Sequence, residues 1–275
     1  MNQIYDFNRI ELDQKGFTVI PNYFLPDEIN ECRNDIDKAF EGGKYPHHIT
    51  SSASSFHVHN FFLYGENLRK ILFGKKMQEI HKNFYSTNYT LRNAVASSIQ
   101  INNAIKDNLI HNPIGSAWHR DTPQFYDRNN KSHALNNGIT YQVVIALDST
   151  NSMNSTKAMA GSHLDSFAEH KLEDVKLIEF SNKYGVQDML LKPGDIAIID
   201  DNMFHKAGVA SNESRWLLFC SYTPWYIKPY FDYANVQLDD MTLYEQHCLH
   251  QTSSPPNYDE HLRNTFVSNN WSKVE

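Results

Sequence analysis

Residues 118–121 read Trp-His-Arg-Asp, and His205, at the end of Asp-Asp-Asn-Met-Phe-His, stands 84 positions beyond the aspartate. In an extended segment, residues i and i+2 project to the same side. His119 and Asp121 can therefore reach one point in space from a strand. His205 can join them only if the fold returns the chain to that point. Barrels and two-sheet sandwiches set strands distant in sequence side by side and meet this demand.

The surrounding pattern agrees. Ala94 to Ile101, Thr140 to Leu147, Ile196 to Ile199 and Trp216 to Tyr222 are β-rich and bounded by turn signals. Leu191-Lys-Pro-Gly-Asp195 is a tight turn delivering a strand. The first third predicts helices instead. After a short strand over Gly16-Phe-Thr-Val-Ile-Pro21, Leu25-Pro-Asp27 gives a helix start with Asp27 as cap. That helix carries Ile29, Cys32, Ile36 and Phe40 on one face and ends at Gly42-Gly43. A second helix, over 66–85, aligns Leu68, Ile71, Leu72, Met77, Ile80 and Phe84. The expected organisation is a single domain over 1–275. It has a mainly helical flank at 1–93, a β core at 94–226 and a C-terminal extension at 227–275.

Composition narrows the partners. A net charge of −7 and a pI near 6.0, with scattered lysines and arginines, argue against a nucleic-acid or anionic-membrane surface. Three cysteines, far apart and odd in number, imply no disulfide framework. The N-terminus lacks signal-peptide features, and no apolar run nears the roughly 18 residues of a membrane span. A soluble cytoplasmic protein acting on a small molecule is the expectation.

Two imidazoles and one carboxylate form the facial triad that holds non-haem iron(II) and leaves positions open. A chelating oxoacid and then dioxygen can fill those positions. Arg215 opens Arg-Trp-Leu-Leu-Phe-Cys-Ser-Tyr, an apolar strand in which a cation needs a reason. It can clamp the distal carboxylate of 2-oxoglutarate in bidentate fashion, or it can simply open the strand at the surface beside Glu213. Rival clusters are weaker. His57-Val-His59 lacks an acidic partner and is assigned to solvent or a lid, and His247 with His250 to a surface helix. Cys220 reads as a buried small hydrophobe. No nucleophile elbow, phosphate loop or dinucleotide fingerprint is present.

Four stretches resemble the phytanoyl-CoA hydroxylase family of iron(II)- and 2-oxoglutarate-dependent dioxygenases, which includes ectoine hydroxylases. They are Gly16–Pro21 with Leu25-Pro-Asp-Glu28, Trp118-His-Arg-Asp121, Met159-Ala-Gly-Ser-His163, and Lys192-Pro-Gly-Asp195 through His205-Lys-Ala-Gly-Val-Ala-Ser-Asn212 to Arg215. Ala160 stands where the family usually has proline. The resemblance spans residue 11 to about 226.

It implies a mainly β fold with flanking helices around a double-stranded β-helix, the cupin-like jelly roll. It also implies His119, Asp121 and His205 as iron ligands, with Arg215 anchoring 2-oxoglutarate. Gln100, 19 residues before His119, and Thr156 become candidate oxoacid contacts, while His163 reads as structural. Asn102, on the strand face of Gln100, and the aromatics Phe125, Tyr126 and Trp225 become candidate substrate contacts.

The implied reaction couples dioxygen and 2-oxoglutarate consumption to hydroxylation of an unactivated C–H bond, releasing succinate and carbon dioxide. Desaturation or ring formation by the same chemistry is the alternative; a carboxylate at position 121 disfavours halogenation. From other classes, a non-catalytic ligand-binding jelly roll and a zinc hydrolase are the rivals. Without a basic patch for the phosphates of an acyl-CoA, a small metabolite or biosynthetic intermediate is expected, and the stretch from Tyr45 to Phe62 is expected to form a lid over it.

Overall fold

The computed structural model describes residues 3–41, 49–52, 55–84, 89–99, 118–121, 140–165, 171–172, 174–209, 215–229 and 231–252. Two antiparallel sheets organise them, with strands numbered in chain order. The larger contains β1 (Phe17–Ile20), β2 (Ile49–Ser52), β3 (Ser55–His59), β4 (Tyr89–Ile99), β6 (Tyr141–Ala146), β10 (Ile196–Asp200) and β12 (Arg215–Pro224), in the order β1-β10-β6-β12-β4-β3-β2. The smaller contains β5 (Trp118–His119), β7 (Thr156–Ala158), β8 (Lys171–Leu172), β9 (Gln187–Met189) and β11 (His205–Lys206), in the order β8-β5-β11-β7-β9.

Alternation along the strands decides what each face meets. On β12, Leu218, Cys220 and Tyr222 join Ala94 and Ala96 of β4 and Ile196 and Ile198 of β10 in one buried cluster. Helices α2 (Pro26–Glu41), α3 (Glu66–Phe73) and α4 (Lys75–Phe84) supply the rest of it, including Ile29, Ile36, Leu68, Leu72, Met77 and Ile80. The opposite face presents Leu217, Val144, Ala146, Ala197 and Ile199 to Ala158 and Met189 of the smaller sheet. Strands buried on both faces explain why β10 and β12 read as nearly continuous apolar runs. Among the described residues, no helix is long and apolar enough to cross a membrane.

The structure departs from expectation in several places. Ile49–Ser52 and Ser55–His59 form a hairpin whose second strand pairs with β4, and β4 itself begins at Tyr89, five residues before the expected start. The described part of the expected lid is therefore an edge of the larger sheet. Val58 sits in the helix-covered core, and the alternation Ser-Phe-His-Val-His is that of a half-buried strand. The helix expected over 66–85 is two helices. Gly74 adopts an extended conformation between them, and a Cβ there would lie 2.4 Å from the Lys70 carbonyl oxygen.

The cap of α2 differs as well. Pro26 takes the first helical position, as its missing N–H permits, and Glu28 rather than Asp27 accepts the Leu25 N–H, at 2.7 Å. Finally, the C-terminal histidines are not on a surface helix. In α6 (Leu243–Cys248), Thr242 and Glu245 form a reciprocal cap, and Glu245 pairs with Arg69 of α3. This draws the helix inward and buries His247 and Cys248. A further helix, α5 (Asp174–Tyr184), lies within the expected β core, and α1 (Gln3–Lys15) opens the helical flank.

The Lys192–Asp195 turn ties the sheet to the entry of α2. Gly194 donates to Ala146 O and accepts from Phe24 N, both at 2.9 Å, while the Asp195 carboxylate accepts from Asn22 N and Lys192 N, both at 2.8 Å. Gly194 has φ +90°, and a Cβ there would meet the Phe24 carbonyl oxygen at 2.5 Å. Gly194→Ala should therefore lower stability by about 1–3 kcal/mol, read as a reduced urea midpoint with an unchanged slope.

Candidate active site

β11 lies between β5 and β7, and His205 is registered directly opposite His119 on one side and Ala158 on the other. Cross-strand partners of this kind hold their side chains in contact, and the two imidazole centroids are 4.6 Å apart. Asp121 lies just beyond β5, on the side to which His119 projects. Its Oδ1 is 3.3 Å from His119 Nε2, and its Oδ2 is 3.4 Å from His205 Nε2. One donor atom from each residue lies within 4.8 Å of the others, and no other such group of three occurs among the described residues.

Arg120 projects the other way. Its guanidinium stacks over Phe204 at 4.1 Å and donates to Ser162 O at 2.8 Å. Ser162 Oγ in turn accepts from Phe204 N at 2.9 Å. The Gly-Ser-His turn thus braces the backbone from which the two ligand candidates project. His163 fixes that turn to α1, through Nε2 and Asp13 O at 3.1 Å.

Neighbouring groups set the orientation of the donors. His205 Nδ1 lies 2.9 Å from Met203 O, so it carries the proton there and leaves Nε2 facing Asp121. Gln142 Nε2 donates to Asp121 Oδ2 at 3.3 Å and to Ser221 Oγ at 3.2 Å. Burial disfavours charge on Asp121 and His205, but their mutual attraction overrides it. The Asp121 carboxyl is held well below the ordinary carboxylate range, and the His205 imidazole is raised to about 9.

Arg215 is buried, with 1% of its surface exposed. Its Nε donates to Asn154 O at 3.0 Å, while one terminal nitrogen has no hydrogen-bond partner among the described residues. The nearby Asp148 carboxylate is already held by Arg33 and the Trp216 N–H. Burial pulls the guanidinium down to about 10, still a cation at neutral pH. The surface alternative for Arg215 is thereby excluded. Because its partner across β4 is Ile99, and Leu217 of the same β12 face packs between the sheets, Arg215 lies on the inner face.

Thr156, on β7, shares the inward face of Ala158 and lies two residues from the Asn154 carbonyl that Arg215 grips. Trp225 is partly exposed, stacks edge-on with Tyr226 and has no hydrogen bond to the triad among the described residues. Gln100, Asn102, Phe125 and Tyr126 lie outside the described residues. His57 and His59, assigned to solvent or a lid, are instead half-buried on the inner face of β3, in register with Ser97 and Val95. The imidazole of His57 is depressed by burial, by His59 and by Arg215.

Sequence reasoning missed Arg92, Gln142, Asp201 and Ser221. The signal for Gln142 was a lone amide in Tyr-Gln-Val-Val-Ile-Ala; for Asp201 it was the second acid of the Asp-Asp pair before His205.

Comparison with known proteins fits this geometry. The family model of the phytanoyl-CoA dioxygenases (PhyH) matches residues 12–216. The chain belongs to the phytanoyl-CoA dioxygenase family. This PhyH member is thus an iron- and 2-oxoglutarate-dependent dioxygenase-type enzyme. A search of curated protein sequences gives no significant match.

Solved structures share its fold at low identity. EctD from S. alaskensis superposes with a TM-score of 0.64 at 13% identity, over 80% of this chain and 77% of its own. SnoN, a non-heme alpha ketoglutarate dependent epimerase from nogalamycin biosynthesis, gives 0.60 at 15%, over 80% of each chain. SnoK, a carbocyclase from the same biosynthesis, gives 0.60 at 14%, over 80% of this chain and 83% of its own. The shared fold is the jelly roll of two antiparallel sheets flanked by helices.

A metal at the triad must displace the proton on His205 Nε2. Binding of a divalent ion at pH 7.5 should release about one proton, read from the dependence of the calorimetric enthalpy on the buffer's ionisation enthalpy. The sign follows from the raised imidazole. Its pairing with Asp121 stabilises the metal-free protein below the ordinary histidine value, and that contribution is lost as pH rises through about 9. Above that pH the proton release should disappear.

Proposed function

We propose that this PhyH protein hydroxylates an unactivated C–H bond of a small molecule, using iron(II), 2-oxoglutarate and dioxygen. In this reading His119, Asp121 and His205 hold the metal, and Arg215 takes the distal carboxylate of 2-oxoglutarate. The observation that carries it is a terminal nitrogen of buried Arg215 that has no partner among the described residues, on the inner face of the jelly roll that also holds the His-Asp-His set. A buried cation with an unsatisfied donor is costly. A carboxylate would satisfy the guanidinium by paired, charge-assisted hydrogen bonds. The donor set fits iron equally well, since two neutral imidazoles and one carboxylate are the ligands non-haem iron(II) takes.

Bound iron would supply oxygen activation, coupled to decarboxylation of the oxoacid to succinate and carbon dioxide. The chain supplies orientation and exclusion. The Met203 carbonyl fixes the His205 tautomer, and Gln142 holds the Asp121 carboxylate. Leu217, Val144, Ala146 and Ala158 keep the space between the sheets apolar, which limits water around reactive species. Thr156 and Gln100 are proposed as further oxoacid contacts.

His57, His59, Asn93, Val95 and Phe219 share the inner face yet stay half-buried. They offer neutral polar and apolar groups to a compact substrate. Asn102, Phe125, Tyr126 and Trp225 are proposed to complete its surroundings. The acidic net charge disfavours a polyphosphate-bearing substrate such as an acyl-CoA.

His119→Ala and Asp121→Ala should each abolish oxygen-dependent succinate formation; turnover retained in either variant would overturn the ligand assignment. Arg215→Met should raise the KM for 2-oxoglutarate by about 10- to 100-fold, as loss of a charged hydrogen-bond pair does, while leaving metal affinity intact. With isotopically labelled dioxygen, hydroxylation places one labelled atom in succinate and the other in the product. An unlabelled product would mark desaturation or ring closure instead.

A further inference from the structure

β4 and β12 pair residue for residue except at one place. Ser221 faces Asn93 and Tyr222 faces Leu91, so the ladder skips Arg92, and β4 bulges there. A bulge re-aims one side chain. Arg92 is buried, and its guanidinium spans two acceptors. One terminal nitrogen donates to Asp201 Oδ2 at 2.8 Å, and the other donates to the backbone carbonyl of Asp121 at 2.9 Å. On the other side of the same peptide segment, Asp121 N donates to Asp201 O at 2.9 Å. The backbone of the carboxylate donor is thus gripped at its N–H by the Asp201 main chain and at its C=O by Arg92, which the Asp201 side chain holds in turn.

We infer that Arg92 and Asp201 form a positioning pair that fixes the metal-facing conformation of Asp121. This rests on the proposed metal site and assigns the pair no contact with substrate or reacting atoms. Asp121 follows a strand of only two residues, so its own ladder does little to define its φ and ψ. Among the described residues of the larger sheet, Gln142 alone holds its carboxylate, at 3.3 Å. A guanidinium suits the task because its rigid fork reaches two acceptors at once, whereas an ammonium serves as a point charge. Groups that orient a ligand in this way typically carry 10- to 100-fold in metal affinity.

The test is manganese(II) binding to the full-length protein, read by loss of the free-ion electron paramagnetic resonance signal. Thermal unfolding of each variant runs in parallel. Arg92→Met alone leaves Asp201 buried without its partner and risks the fold. The main variant is therefore Arg92→Met with Asp201→Asn, which removes both charges together. It should fold and bind manganese about 10- to 100-fold more weakly than the parent.

Arg92→Lys keeps the charge opposite Asp201 and so protects the fold, but it cannot span both acceptors. It should bind at an affinity between the double variant and the parent. Parent-like affinity in both variants would overturn the positioning role and leave Arg92 as a neutraliser of Asp201. A parent protein that binds no manganese, or a His119→Ala variant that binds it equally well, would instead overturn the metal site itself.

Discussion

The antiparallel pairing of β5 with β11 is the contact on which the site depends. Each of these strands is two residues long, and their register sets His119 opposite His205. So short a ladder could not persist alone. It survives because β7 and β8 extend it on either side, Arg120 packs on Phe204 behind it, and Ser162 bonds the backbone of Phe204. The larger sheet, buried on both faces, provides the rigid floor against which this small sheet is held.

The geometry also explains how the protein tolerates such a concentration of charge. Asp200 and Asp201 are buried and Asp121 is half-buried around one arginine and two imidazoles. Arg92 answers Asp201, His205 answers Asp121, and Asp200 accepts the Asn202 N–H. Asp121 in turn favours a proton on His205. Arg215 differs, since one of its terminal nitrogens has no hydrogen-bond partner among the described residues.

Much of this was legible in the sequence because period-two alternation and donor spacing are local signals. The His-x-Asp pair, the strand after Lys-Pro-Gly-Asp and the apolar run from Trp216 each follow from residues within a few positions of one another. The hairpin at 49–59 was not legible. Its polar alternation suits a strand but lies beside helical segments, and only pairing with β4 gives it a face to bury. Gly74 was overlooked because the apolar stripe continues in phase across it, so periodicity gave no sign of a break. Arg92 was invisible for a different reason. Its role arises from a skipped position in a ladder with a strand about 130 residues away, which no window of sequence reports.

That skipped position has a consequence for chain length. Leu91 packs toward the helices and Asn93 lies on the inner face, so without residue 92 the two would alternate as neighbours in a regular strand. Removing one residue here would leave every flanking partner and face unchanged, whereas removing one elsewhere along β4 would turn part of the strand inside out. Pairing and core packing place no demand on a residue at this point. The sheet carries it as an insertion, and its side chain reaches Asp201 and the Asp121 carbonyl.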